Sequence, residues 1–145
     1  MTIHQLSVFI ENKPGTLNEI LSILKSADIQ IIASTISDTV EYGIYRIITS
    51  EPQKAFDALK AKNISVNLSD VFAISLDNKV GKAADVISLF ANAGINIEYM
   101  YSFLIKEQGI LVFRTSDSDK TCEIILKHKL AYIREADLSN QSYML

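Results

Sequence analysis

A single cysteine, Cys122, excludes an internal disulfide and a CxxC metal or redox pair. A reducing cytosol is the expected setting. Clustered cations are missing too: the 14 Lys and Arg residues are scattered among 17 Asp and Glu, and the formal net charge is −3. Nucleic-acid binding rests on clustered positive charge, so a phosphate backbone is not an expected partner. No apolar run approaches the ~18 residues of a membrane span. Met1 leads into an alternating, strand-like segment with no basic region ahead of an apolar stretch, which suggests a soluble cytoplasmic protein without a membrane partner. Catalytic signatures are also absent: there is no GxSxG, HExxH, P-loop or GxGxxG. His4 and His128 have no Cys, Asp or Glu at metal-ligand spacing around them. Cys122 falls on the apolar face of a helical pattern and reads as a small buried hydrophobe. No metal site and no enzyme is expected.

What is present is a globular composition, 48% hydrophobic and 21% charged, and an internal repeat. Sliding the chain against itself by 66 residues lays Asn12-Lys13-Pro14-Gly15 on Asn78-Lys79-Val80-Gly81. The same offset brings Ala27-Asp28-Ile29-Gln30-Ile31 onto Ala93-Gly94-Ile95-Asn96-Ile97, Gly43-Ile44 onto Gly109-Ile110, and Thr49-Ser50 onto Thr115-Ser116. The register holds across every element without a gap. Two modules, residues 1–69 and 70–145, are the expected domains. A module of roughly 65 residues lies near the lower limit for an independent core, so burial against a neighbour is expected.

Periodicity assigns the elements. Ile3 to Glu11 and Val71 to Asp77 are apolar strand-like segments leading into turns. Leu17, Ile20, Leu21 and Leu24 then recur at helical spacing, as do Ala83, Val86, Ile87 and Phe90. Asp28 and Gly94 end these helices. Strand pairs follow, Ile29 to Ser37 with Ile44 to Thr49 and Ile95 to Ile105 with Ile110 to Thr115. Gly43 and Gly109 either supply a positive φ in the turn or start the returning strand. Ser50-Glu51-Pro52 and Ser116-Asp117-Ser118 offer caps for second helices, with buried faces at Phe56 and Leu59 and at Cys122, Ile125 and Leu126. Ile64 to Leu68 and Leu130 to Glu135 read as closing strands. The fold class is α+β: two ferredoxin-like βαββαβ modules, paired side by side, each an antiparallel four-stranded sheet with both helices on one face. Only Asn67 to Asp70 remain as a joint, too short for a flexible tether, so the last strand of the first module must nearly continue into the first strand of the second.

The segment Glu11-Asn12-Lys13-Pro14-Gly15-Thr16-Leu17 joins strand to helix. Its glycine admits a close ligand, the helix start favours a carboxylate, and Asn12 offers a donor and an acceptor; equally, Pro-Gly only makes a turn. Ile10 to Leu17, followed by Ala27 to Ile31, resembles the ACT family pattern of an apolar strand, N-x-P-G-x-L, a helix and a G-x-N-I strand entry. Asp77 to Gly81 with Ala93 to Ile97 resembles it again. This resemblance implies a non-catalytic regulatory module that binds a free amino acid, with paired domains placing the ligand at their interface. The implied ligand residues are Asn12, Lys13, Pro14, Gly15, Thr16 and Leu17 in the first copy, and Asn78 and Gly81 in the second. Gln30 and Asn96 stand at the polar position of the second strand and would reach a ligand from the neighbouring domain. The copies differ: Val80, Lys82 and Ala83 replace Pro14, Thr16 and Leu17, and Gln30 replaces the usual asparagine. Tyr99, Tyr101 and Phe103 share one face of an aromatic strand, either as a packing seam or as a wall for a ligand. No cofactor beyond the amino acid is implied. A homodimer and an amino-acid biosynthetic enzyme are the expected protein partners. The alternative is a detached regulatory subunit that binds a metabolic enzyme without any ligand.

Overall fold

The computed structural model describes residues 1–38 and 41–139. Its contacts form two compact units, His4–Ser69 and Met1–Ile3 together with the residues from Asp70 onward. The His4–Ser69 unit is built from β1 (Ile3–Glu11), α1 (Thr16–Ser26), β2 (Ile31–Asp38), β3 (Tyr42–Thr49), α2 (Pro52–Ala61) and the opening residues of β4 (Val66–Leu76). Its strands lie in the order β2-β3-β1-β4. The pairing is antiparallel, with Leu6 opposite Ile47 and Val8 opposite Tyr45. Those four residues share a core with Ile20 and Leu24 of α1 and Leu59 of α2, so both helices cover one face of the sheet.

The unit from Asp70 onward repeats this plan. It holds the rest of β4, then α3 (Lys82–Asn92), β5 (Ile97–Ile105), β6 (Gln108–Thr115), α4 (Ser118–Lys127) and α5 (Glu135–Ser139), with strands in the order β4-β6-β5. Phe113 anchors its core, with ring centroids 5.7 Å from Phe72 and 5.2 Å from Phe90. Aromatic contacts at these distances add to what buried area alone contributes. The architecture is α+β, built from two βαββαβ modules.

Four helices end in the same way. The residue after each C-cap is left-handed: Asp28 (φ 59°), Asn63 (58°), Gly94 (74°) and Lys129 (51°). Its N–H bonds the carbonyl three residues back, and the next N–H (Ile29, Ile64, Ile95, Leu130) reaches Leu24, Leu59, Phe90 or Ile125 at 2.9–3.1 Å. This is the Schellman arrangement, and its accompanying apolar contact is met each time, since both members of every such pair are hydrophobic. Asp117 caps α4 by accepting from the Lys120 N–H (3.0 Å), and Pro52 opens α2.

The strand that closes the first copy continues, as the short joint required, into the one that opens the second: β4 is eleven residues long. No glycine or proline interrupts Val66–Leu76, so Asn67 to Asp70 lie within it. Other expectations are corrected. The expected strand at Leu130 to Glu135 shrinks to one bridge, Tyr132 to Ile74, after which α5 begins. Asp137 accepts from the Arg134 N–H (2.9 Å) and so offers that backbone a local alternative to strand pairing. Leu126 is 60% exposed, because Thr121 and Ile125 hold the buried face of α4. Ala83 is likewise exposed. Neither Gly43 nor Gly109 supplies the turn's positive φ. Lys106 (48°) and Glu107 (69°) do so in the second unit, while Gly43 and Gly109 lie within the returning strands β3 and β6.

Candidate functional site

The loop from β1 to α1 is folded by its own backbone. Lys13 N–H donates to Glu11 O (2.9 Å), Asn12 N–H to Glu41 O (3.0 Å) and Glu19 N–H to Gly15 O (3.0 Å). The Thr16 hydroxyl donates to Glu11 O at 2.7 Å and lies 3.0 Å from Lys13 O. Gly15 is the N-cap of α1 with φ 93°, a conformation that other L-residues adopt only at a cost. No side chain caps α1; Thr16 N–H lies 3.5 Å from Lys13 O, and the next first-turn N–H groups keep their partial positive charge.

This loop forms one wall of a cavity of about 150 Å3. The lining is Ile10, Glu11, Asn12, Lys13, Thr16 and Leu17, closed by Ile36 and Asp38 of β2 and Gly43 of β3. Strand register explains the last three: Gly43 stands opposite Ile10 on one side and Asp38 on the other. A Cβ at Gly43 would come within 3.3 Å of Ile10 Cγ1, so glycine there keeps the floor of the cavity clear. Lys13 Nζ pairs with Glu11 at 2.8 Å. That hydrogen bond and charge, with a weaker contribution from Glu19, raise the Lys13 pKa above the ordinary lysine value.

Of the residues singled out in the sequence, Asn12, Lys13, Thr16 and Leu17 line this cavity. Pro14 and Gly15 shape the turn beside it. Gln30 is exposed just before β2, at the far end of the strand from Asp38, and its carbonyl accepts from Ser50 N–H. In the second unit three of the loop's backbone bonds recur, Lys79 N–H to Asp77 O, Lys82 N–H to Lys79 O (as Thr16 N–H to Lys13 O) and Asp85 N–H to Gly81 O. Gly81 is again the N-cap, with φ 85°. Asn78 is exposed on this loop, and Asn96 is exposed before β5, with its carbonyl accepting from Ser116 N–H.

The aromatic strand is placed by its register. Tyr101 faces Val112 and Phe103 faces Ile110, whereas the helix-side core takes Leu111 and Phe113. Tyr99, Tyr101 and Phe103 therefore point to the face away from α3 and α4 and are half-buried there. Ile36 and Asp38 went unrecognised in the sequence, and Gly43 was read only as a hairpin residue. Their only signal was the pairing of β2 with β3, which requires the register.

Strand order, helices on one face and a strand-to-helix loop beside a small cavity define a duplicated split-βαβ module. The chain belongs to the ACT domain pair family, whose model matches residues 1–142. It is similar to protein BT0572 from Bacteroides thetaiotaomicron, at 38% identity over 97% of both chains and a TM-score of 0.91. The regulatory subunit of aspartate kinase from Thermus flavus has the same fold, with a TM-score of 0.61 at 18% identity, covering 88% of this chain and 90% of that one. The ligand-free regulatory subunit of aspartate kinase from Thermus thermophilus also matches at 0.61, with 13% identity over 86% and 91% of the two chains. No curated protein sequence matches.

Proposed function

We propose that the chain is a non-catalytic regulatory protein that binds a free amino acid at the loop between β1 and α1. The observation that carries this reading is the cavity itself, which combines uncapped helix N–H groups with apolar walls and acidic side chains. A carboxylate suits the helix start, an ammonium suits the acids, and an aliphatic side chain suits Ile10, Leu17 and Ile36. A cavity of about 150 Å3 falls below the usual range for drug-sized ligands, roughly 300–1,000 Å3, and fits a small metabolite. Family membership supports a regulatory role. Thermal shift of the chain against each of the twenty amino acids at millimolar concentration tests the reading. Stabilisation by at least one is the expected result, and none by any would refute it.

The Thermus neighbours are regulatory subunits of aspartate kinase. They favour a second reading, in which the chain is a detached subunit that binds an amino-acid biosynthetic enzyme without a ligand. Co-elution with such an enzyme, unaffected by added amino acids, would favour that reading over the first. A cytoplasmic location and a homodimer are part of the proposal.

A further inference from the structure

We propose that Asp38 is the specificity-determining residue of the first-copy cavity, holding the ammonium of a small aliphatic α-amino acid; this rests on the reading of the cavity as an amino-acid site. Two acids line the cavity, and they are not equivalent. Glu11 is paired with Lys13 at 2.8 Å, whereas the Asp38 carboxylate makes no ion pair or hydrogen bond among the described residues. Thr16 spends its hydroxyl on loop carbonyls. Asp38 is therefore the one lining carboxylate whose charge is not already matched.

The duplication supplies the contrast. At the offset of 66, Asp38 corresponds to Leu104 and Thr16 to Lys82, so the second copy replaces the acid with an apolar group and adds a cation. The two loops share three backbone bonds, and the second carries one more positive charge. The second copy keeps an acid at Asp77, the counterpart of Glu11, but has none at the position of Asp38. The size of the ligand follows from volume: a cavity near 150 Å3 encloses about six heavy atoms, so a small aliphatic amino acid fits with part of its polar end at the mouth, while a whole aromatic amino acid is too large. Ile10, Leu17 and Ile36 provide the apolar surface for its side chain.

The test is calorimetric titration of the full chain with L-valine and with 3-methylbutanoate, which keeps the carboxylate and branched carbons but lacks the ammonium. The wild-type chain is expected to prefer L-valine by about tenfold or more, and Asp38→Asn to bring the two affinities nearly level. Asp38 is exposed, so the variant is expected to fold. An undiminished preference in Asp38→Asn overturns the role of Asp38 and leaves the amino-acid site standing. Silence toward L-valine, when an aromatic or cationic amino acid stabilises the chain, overturns the aliphatic class alone. Silence toward all twenty removes the site as well.

Discussion

Two threonines show how one substitution between copies changes the meaning of the same residue. Thr115 Oγ1 lies 2.8 Å from Thr121 Oγ1, and Thr121 also donates to Asp117 O, so both buried hydroxyls are satisfied. The counterpart of Thr121 in the first copy is Ala55. Thr49 is fully buried there, and its Oγ1 has no hydrogen-bond partner among the described residues. A buried polar group without a partner costs stability, while a paired one contributes about 1 kcal/mol. Urea denaturation should therefore find Thr49→Val neutral or stabilising by about 1 kcal/mol, and Thr115→Val destabilising by a similar amount. Equal losses in the two variants would contradict this account. Lys13 makes a pH-dependent contribution. Its pKa is raised in the folded chain by Glu11, so its share of stability is complete below the ordinary lysine pKa and is lost as pH rises through the raised value. The pair is solvent-exposed, so the effect on stability is small. In Glu11→Gln, NMR titration of the Lys13 side chain should place its midpoint at a lower pH than in the wild type.

Elements carry their own signals, and some positions work against them. The four Schellman ends require a left-handed residue, and Asp28, Asn63 and Gly94 are residue types that tolerate it. Lys129 does not, and neither do Lys106 and Glu107, which form the two-residue turn between β5 and β6. That hairpin turn favours Asn-Gly, because both central residues need positive φ. Lys129→Gly and Glu107→Gly should each stabilise the chain by about 0.5–1 kcal/mol, the gain being limited by glycine's greater entropy loss on folding. A lower melting temperature in either variant would show that side-chain contacts outweigh backbone strain. Helix faces at α1 and α3 were legible from apolar spacing, because that pattern repeats within one element. Leu126 was misplaced because a threonine occupied the buried position, and only its hydrogen bonds reveal why a polar residue is tolerated there.

For the whole chain, the measurable consequence of a binding site is linkage between ligand and stability. An amino acid at 100 times its dissociation constant stabilises the folded state by about 2.7 kcal/mol, which raises the melting temperature of a chain this size by about 5–11 °C. A concentration series should follow that logarithmic dependence. The βαββαβ order, the helix ends and the strand-to-helix loops were determined by the sequence, because each depends on residues only a few positions apart, and the duplication because both copies keep one register at an offset of 66. Strand register was not. Plain alternation from Ile31 would put Ala33, Thr35 and Ser37 on the helix side of β2, but an irregularity between Ile31 and Ala33 reverses the phase and brings Ser34, Ile36 and Asp38 there instead. The same irregularity recurs between Ile97 and Tyr99 and turns the aromatic residues away from α3 and α4. Asp38 therefore joins Asn12 and Leu17 through pairing across β3, a long-range contact that only the tertiary structure decides.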